Sequence, residues 1–181
     1  MIRFLDILIS ITSLVLLFPF LIIFLIIAWF DTGRPLYIQK RVGLNLKNFN
    51  LVKFRTMKIG TSSKSTHLVS KSSITAIGFF FRKFKIDEAP QLFNVLIGDM
   101  SIVGPRPCLT NQKKLISERK KSGVFKVRPG ITGLAQIKDV NMSKPILLSK
   151  IDKKMIQNKI NIINYFNYIS LTILLLIKKF F

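Results

Sequence analysis

The chain has 181 residues, with 29 Lys and Arg against eight Asp and Glu, one His and one Cys, for a formal net charge of +21. A lone cysteine cannot close an internal disulfide and a lone histidine cannot build a His-rich metal site, which excludes disulfide scaffolds and zinc folds. The charge calls for anionic partners, whether nucleic acid, anionic lipid or phosphorylated small molecules, and the length suits one domain with a real core.

A mean hydropathy of +0.40 in so basic a chain requires the apolar residues to be concentrated somewhere. They lie at the N-terminus, where Ile7 to Phe30 carries no charge. A straight helix over this run is about 36 Å long, enough to cross a hydrocarbon core of roughly 30 Å. The run is too long for a signal peptide and no small-residue cleavage site follows it. Pro19, near its midpoint, removes a backbone hydrogen bond and favours a kink. Two arrangements follow: a kinked helix that spans the bilayer, or a re-entrant one that leaves Arg3 on the same face as the basic body. Positive-inside logic puts that body in the cytoplasm.

The following segments "RPLYIQKRVG" and "NFNLVKFRTM" read as short strands around a turn at Gly43-Leu44-Asn45. In the second, Leu51, Lys53 and Arg55 alternate onto one face, with Val52, Phe54 and Thr56 on the other. Gly60 to Ser73 is a polar loop that holds His67, read as solvated. Ile74, Ile77, Phe80, Phe81 and Phe84 then recur at helical spacing. That stripe fits core packing, and, interleaved with Arg82, Lys83 and Lys85, it equally fits a helix at a membrane interface.

Next comes "KIDEAPQLFNVLIG". Pro90 is tolerated only in the first turn of a helix and Gly98 is a natural stop, which predicts a short helix with Asp87 at or near its N-cap. Capping accounts for Asp87 but gives no use to Glu88. A carboxylate beside Arg and Lys stays ionised, which suits a nucleophile toward phosphorus better than a general acid. A second carboxylate next to it can help hold Mg²⁺, a hard cation that takes one or two carboxylates plus substrate phosphates.

Arginines that suit phosphate oxygens are spread along the chain: Arg55 on a strand, Arg106 between Pro105 and Pro107, and Arg128 ahead of Pro129. There is no glycine-rich phosphate loop and no GxGxxG. In the C-terminal third, "SKPILLSKIDKKMIQ" predicts an amphipathic helix capped at Ser143 with Pro145 in its first turn. From Ile160 to Ile177 no charge appears, but Asn161, Asn164 and Asn167 argue for an interface-bound or core-packed helix, with Lys178 and Lys179 reaching headgroups.

"IDEAPQLFNVLIGDMSIVGPRP" followed by "VRPGITGLAQI", with "RPLYIQKRVG" and "FRTMK" upstream, closely resembles the bacterial sugar transferases known as small monotopic phosphoglycosyl transferases. The likeness covers nearly the whole chain. It implies an α+β fold, mainly helical with a small β element: residues 1–31 as a re-entrant membrane helix kinked at Pro19, and 32–181 as a membrane-associated catalytic domain. The implied location is the cytoplasmic face of a bacterial inner membrane.

The implied reaction moves a sugar 1-phosphate from a UDP-sugar to polyprenol phosphate, usually undecaprenyl phosphate, and releases UMP. It is the first membrane step of glycoconjugate synthesis (O-antigen, capsule or glycoprotein glycan). By resemblance Asp87 is the nucleophile that forms a phosphosugar–enzyme intermediate and Glu88 its catalytic partner, with both at the Mg²⁺. Arg55, Arg82, Arg106 and Arg128 match positions associated with phosphate. Anionic lipids would be further partners, and nucleic acid would not.

The sequence departs from the usual pattern at Phe18-Pro19, where Ser-Pro is common, and at "DEAPQ", where "DELPQ" is commoner. With no multi-helix region ahead of the core, it resembles the minimal form of the family. Two rival readings are a nucleic-acid binder, against which no helix-turn-helix or aromatic RNA-binding signature is present, and a non-catalytic basic adaptor tethered to a membrane.

Overall fold

The computed structural model of the chain describes residues 1–61, 70–158 and 161–178; His67 and Lys179 lie outside them. Helix α1 runs from Ile2 to Thr32 and continues through Pro19. Proline deletes a single N–H, so its neighbours can keep the helix going. Gly33 ends it in the left-handed region (φ 68°), with its amide on the Trp29 carbonyl, the usual role of glycine at a helix C-terminus.

Both ends of α1 are tied to the rest of the chain. Near the first end, Arg3 donates to the carbonyl of Leu96 (2.9 Å). Asp6 Oδ1 accepts from Ser101 Oγ (2.9 Å), the Ile102 amide (2.9 Å) and Tyr165 Oη (2.8 Å). At the other end, Thr75 Oγ1 donates to Asp31 Oδ2 (2.6 Å) and accepts from the Gly78 amide (2.9 Å). Between these anchors Leu21 and Ala28 are buried against Phe54 and Phe81, while Val15, Leu16, Phe18, Trp29 and Phe30 face outward.

The turn at Gly43 closes a hairpin, as the sequence predicts: β1 (Leu36–Val42) pairs antiparallel with β2 (Asn48–Phe54), with Arg41 opposite Phe49 and Tyr37 opposite Lys53. Helix α2 (Ala76–Lys83) follows, with Thr75 as its N-cap. The phenylalanine stripe divides between the two readings. Phe81 is buried edge-on against Phe24 and Phe54, and Phe79 and Phe80 are exposed.

Helix α3 (Gln91–Ile97) stops at Gly98, again with positive φ (95°). Beyond it lie β3 (Ser101–Val103), β4 (Cys108–Leu109), which pairs with β1, and α4 (Lys113–Lys121). Strand β5 (Gly130–Thr132) runs parallel to β3. The chain ends in α5 (Leu134–Ile137), α6 (Pro145–Gln157) and α7 (Ile162–Lys178). Pro145 opens α6 as expected, but Ser143 does not cap it; its hydroxyl goes to Asn141 Oδ1 (2.6 Å). Helix α7 is core-packed on one side, through buried Tyr165 and a hydroxyl bond between Thr132 and Thr172, and apolar and exposed on the other, at Phe166, Ile173 and Leu174.

The "VGPRP" and "VRPGITG" motifs meet where β3 pairs with β5. A Cβ on Gly130 would lie 2.0 Å from the Gly104 amide nitrogen, and one on Gly104 would lie 2.5 Å from the Arg128 carbonyl oxygen. Glycine is required there because two backbones touch. We expect Gly130→Ala to cost about 1–3 kcal/mol of stability, read as a lower thermal midpoint in detergent; an unchanged midpoint would show that the contact can relax.

Candidate active site

A cavity of about 800 Å³ opens between β1–β2, the Lys85–Leu92 segment, the Arg106 loop and α5–α7. Its polar end is lined by Arg41, Lys53, Lys85, Glu88 and Arg106. Its apolar part is formed by Leu17 of α1, Leu92, Leu148, and Leu175 and Leu176 of α7.

Glu88 enters this site from a 3₁₀ turn, Ile86–Glu88, ahead of α3; Asp87, its neighbour in that turn, and Arg82 are not among the cavity-lining residues. Lys85, at φ 59°, bends the chain into that turn. Asp87 is not a helix cap, contrary to the sequence expectation. Successive tight turns already satisfy the free amides: Glu88 N bonds Lys85 O, Ala89 N bonds Ile86 O, and Leu92 N bonds Ala89 O. Pro90, which has no N–H, stands at the N-cap of α3, and no side chain caps the helix.

The two acids are almost fully buried, Asp87 at 7% and Glu88 at 8% exposure. They differ in what holds them. Arg106 grips Glu88 with both terminal nitrogens, Nη2 to Oε1 at 2.6 Å and Nη1 to Oε2 at 3.3 Å. Lys85 adds a longer contact to Oε1 (3.6 Å). Asp87 Oδ1 is buried with no hydrogen-bond partner.

The titration of the pair follows. Burial alone would raise Glu88, but Arg106 and then Lys85 outweigh it and hold the carboxyl down to about 2. Burial, and then the neighbouring Glu88 charge, push Asp87 up to about 6 against the pull of Lys53, Lys85 and Arg82. The sequence reading of Asp87 as an ionised group therefore needs a qualification with a cause: it ionises only above about pH 6, because burial outweighs the nearby cations. It remains mostly anionic at neutral pH.

The sequence-nominated arginines divide. Arg106 is at the site. Arg82 reaches it through space: its Nε donates to Thr56 Oγ1 (2.8 Å) while its charge acts on Asp87. That position depends on α2 lying on the Thr56 backbone, where a Cβ on Gly78 would come within 2.2 Å of the Thr56 carbonyl oxygen. Arg55 and Arg128 are not among the cavity-lining residues. Arg55 donates to the Arg34 carbonyl (3.0 Å) and lies over the Tyr37 ring, and Arg128 donates to the Gly98 carbonyl (2.8 Å).

Three cations not nominated from sequence complete the polar end: Lys85, Lys53 and Arg41. Burial first, then the Arg41 charge, lowers Lys53 to about 8. Burial first, then Arg106, lowers Arg41 to about 10. The signal was present in the strand alternation, because Lys53 shares a face with Leu51, a core position. A lysine on the buried face of a strand needs a reason.

Among the described residues no three His, Cys, Asp or Glu gather to hold a metal, so any cation would depend on the acidic pair and on ligand oxygens. The pair suits a hard ion of that kind: Asp87 Oδ1 is a buried oxygen without a partner. Glu88 could join it only by yielding one of the oxygens now held by Arg106. A buried carboxylate between facing cations, at the end of a cavity whose far wall is apolar, fits a phosphorylated ligand with a lipid portion.

Comparison with known proteins agrees. The chain matches the family model described as bacterial sugar transferase over residues 1–179, and it belongs to that family. It is 44% identical over 131 residues to the uncharacterized sugar transferase EpsL of Bacillus subtilis, covering 72% of this chain and 62% of that protein. It is 37% identical over 145 residues to a putative undecaprenyl-phosphate N-acetylgalactosaminyl 1-phosphate transferase of the same organism, covering 75% of this chain and 81% of that one. An Aeromonas hydrophila UDP-N-acetylgalactosamine-undecaprenyl-phosphate N-acetylgalactosaminephosphotransferase is 33% identical over 143 residues, which is 75% of this chain but only 33% of that protein.

The raised Asp87 makes a stability test possible. A buried acid that titrates near 6 instead of 3.8 costs the folded protein up to about 3 kcal/mol above pH 6. The cost fades as the pH falls through 6 and is gone below the unfolded value. In metal-free buffer at pH 7.5 we expect Asp87→Asn to be more stable than the parent by about 1–3 kcal/mol, with the difference closing by pH 4. A less stable variant at pH 7.5 would show that the cations outweigh burial.

Proposed function

We propose that the protein transfers a sugar 1-phosphate from a UDP-sugar to polyprenol phosphate, releasing UMP, through an intermediate in which Asp87 carries the phosphosugar. The observation that carries the reading is the asymmetry of the acidic pair: Glu88 is held by Arg106, while Asp87 Oδ1 is buried and unpartnered. Family membership and the activities for which the relatives are named support the reaction class.

In the first half-reaction an Asp87 carboxylate oxygen bonds to the sugar-linked phosphorus. The bond from that phosphorus to the bridging oxygen breaks, and that oxygen leaves on UMP. In the second half a polyprenol phosphate oxygen attacks the same phosphorus and the Asp87 carboxylate departs, leaving a polyprenyl diphosphate sugar. Splitting the displacement in two lets one set of cations serve both phosphates in turn. Arg106, Lys53, Lys85 and Arg41 neutralise the diphosphate as it enters. Mg²⁺, held by Asp87 and by Glu88 once an oxygen is freed, would supply positive charge to phosphate oxygens.

The apolar part of the cavity, between α1 and α7, receives the lipid end of the acceptor. Anchoring at both ends of α1 favours a re-entrant placement at the cytoplasmic face. Arg3 and Asp6 at one end and Asp31 at the other bond to the same body, and a helix spanning away from that body would have to break one set.

Detergent-solubilised protein with undecaprenyl phosphate should release UMP from one member of a UDP-sugar panel only when Mg²⁺ is present, and Asp87→Asn should fall to background. Full activity in that variant would remove Asp87 from the reaction. A cysteine placed at position 2 of a Cys108→Ser chain should react with an impermeant maleimide only in inside-out vesicles. Labelling in right-side-out vesicles would establish a spanning helix.

A further inference from the structure

A second arginine is buried against the backbone of Arg106. Arg119 of α4 is 2% exposed and Asp152 of α6 is 0% exposed. Arg119 Nε and Nη2 both donate to Asp152 Oδ2, at 3.0 and 2.7 Å. Its remaining nitrogen, Nη1, donates to the backbone carbonyl of Arg106 at 2.7 Å. The fork is thus divided, with two arms on the neighbouring helix and one on the loop that carries the arginine of the site.

Joining α4 to α6 does not by itself call for this arrangement. Withdrawing both charges from water is costly, and apolar side chains of similar size hold helices together at least as well. Asp152 Oδ1, moreover, is buried with no hydrogen-bond partner. What an apolar pair could not supply is a donor for the Arg106 carbonyl.

That carbonyl needs one. Pro105 and Pro107 flank Arg106 and have no N–H, so the loop cannot be stitched by its own flanking amides. It is held instead through carbonyls: Pro105 O accepts from the Gly130 amide (2.9 Å), Arg106 O from Arg119, and Pro107 O from Arg41 Nη1 (3.0 Å). Prolines stiffen the loop and side-chain donors fix its height above the cavity.

We propose that Arg119, oriented by Asp152, is a positioning residue that fixes the Arg106 backbone and so aims the Arg106 guanidinium at Glu88 and the cavity. This rests on the proposed function, since the effect is read in the transfer reaction. If Arg119 acts through the two-pronged geometry of Arg106, its loss should matter little once Arg106 is replaced by lysine, a point charge on a flexible stem that has no fork to aim.

The experiment is a cycle of four proteins: the parent, Arg119→Met with Asp152→Leu, Arg106→Lys, and all three changes together. Each is assayed for UMP release with UDP-sugar and undecaprenyl phosphate and for thermal unfolding. In the parent background the Met/Leu replacement should keep the thermal midpoint and lower kcat on the order of 10- to 100-fold, the size expected from a misplacement of about 1 Å. KM for the UDP-sugar should stay within about threefold. In the Arg106→Lys background the same replacement should cost less than about threefold.

An equal loss in both backgrounds, or no loss in the parent, overturns the positioning role while leaving the transfer reaction standing. A parent that releases no UMP from any UDP-sugar overturns the functional reading and this role with it. If the Met/Leu protein does not fold, Arg119→Lys serves in its place in the same cycle. It keeps a charge on Asp152 but has no second arm for the Arg106 carbonyl, and the same pattern of losses is expected.

Discussion

Two neighbouring carboxylates cannot both be charged out of water unless one of them is neutralised, and the arrangement of this site follows from that constraint. Arg106 neutralises Glu88 through two short contacts. Asp87 can then be left without a partner and still ionise near neutral pH, because the remaining cations (Lys53, Lys85 and Arg82) act on it from a distance. The proposed nucleophilic role needs that combination of an anion that is present and an oxygen that is free. The cost falls on stability, as is common at functional sites.

The folding of the chain serves the same end. Arg106 comes from the loop after β3, Glu88 from the turn before α3, and Lys53 from β2, so three separate segments must be brought into register. Two glycines let β3 and β5 touch, backbone to backbone, and set the height of the Arg106 loop. Asp6 draws α1, β3 and α7 to a single carboxylate oxygen. That buried acid lies near the start of a long, largely apolar helix, and its three donors fix where α1 and α7 meet the site. The apolar wall of the cavity is built from those same helices.

Much of this was legible in the sequence. The hairpin followed from strand alternation around Gly43, and α3 from Pro90 and Gly98. The acidic pair and the proline-bracketed arginine stood out because each is hard to explain as surface. What could not be read was direction. Arg55 and Arg128 sit in motifs as distinctive as that of Arg106, yet each is directed to a backbone carbonyl outside the cavity, and nothing local to an arginine says which oxygen it reaches. Arg41 and Arg119 were missed for the converse reason: a basic residue in a basic chain attracts no notice until its burial is known, whereas Lys53 was marked by its place on the Leu51 face of β2. Asp87 as a cap failed because the turn ahead of α3 supplies its own carbonyls.

The most direct measurement is the mass of the protein after exposure to its UDP-sugar and Mg²⁺ with no polyprenol phosphate present. A phosphosugar adduct should form, map to the peptide containing Asp87, match released UMP one for one, and disappear when undecaprenyl phosphate is added. UMP released only when the acceptor is present, with no adduct at any stage, would contradict the account and point to direct displacement by the acceptor phosphate.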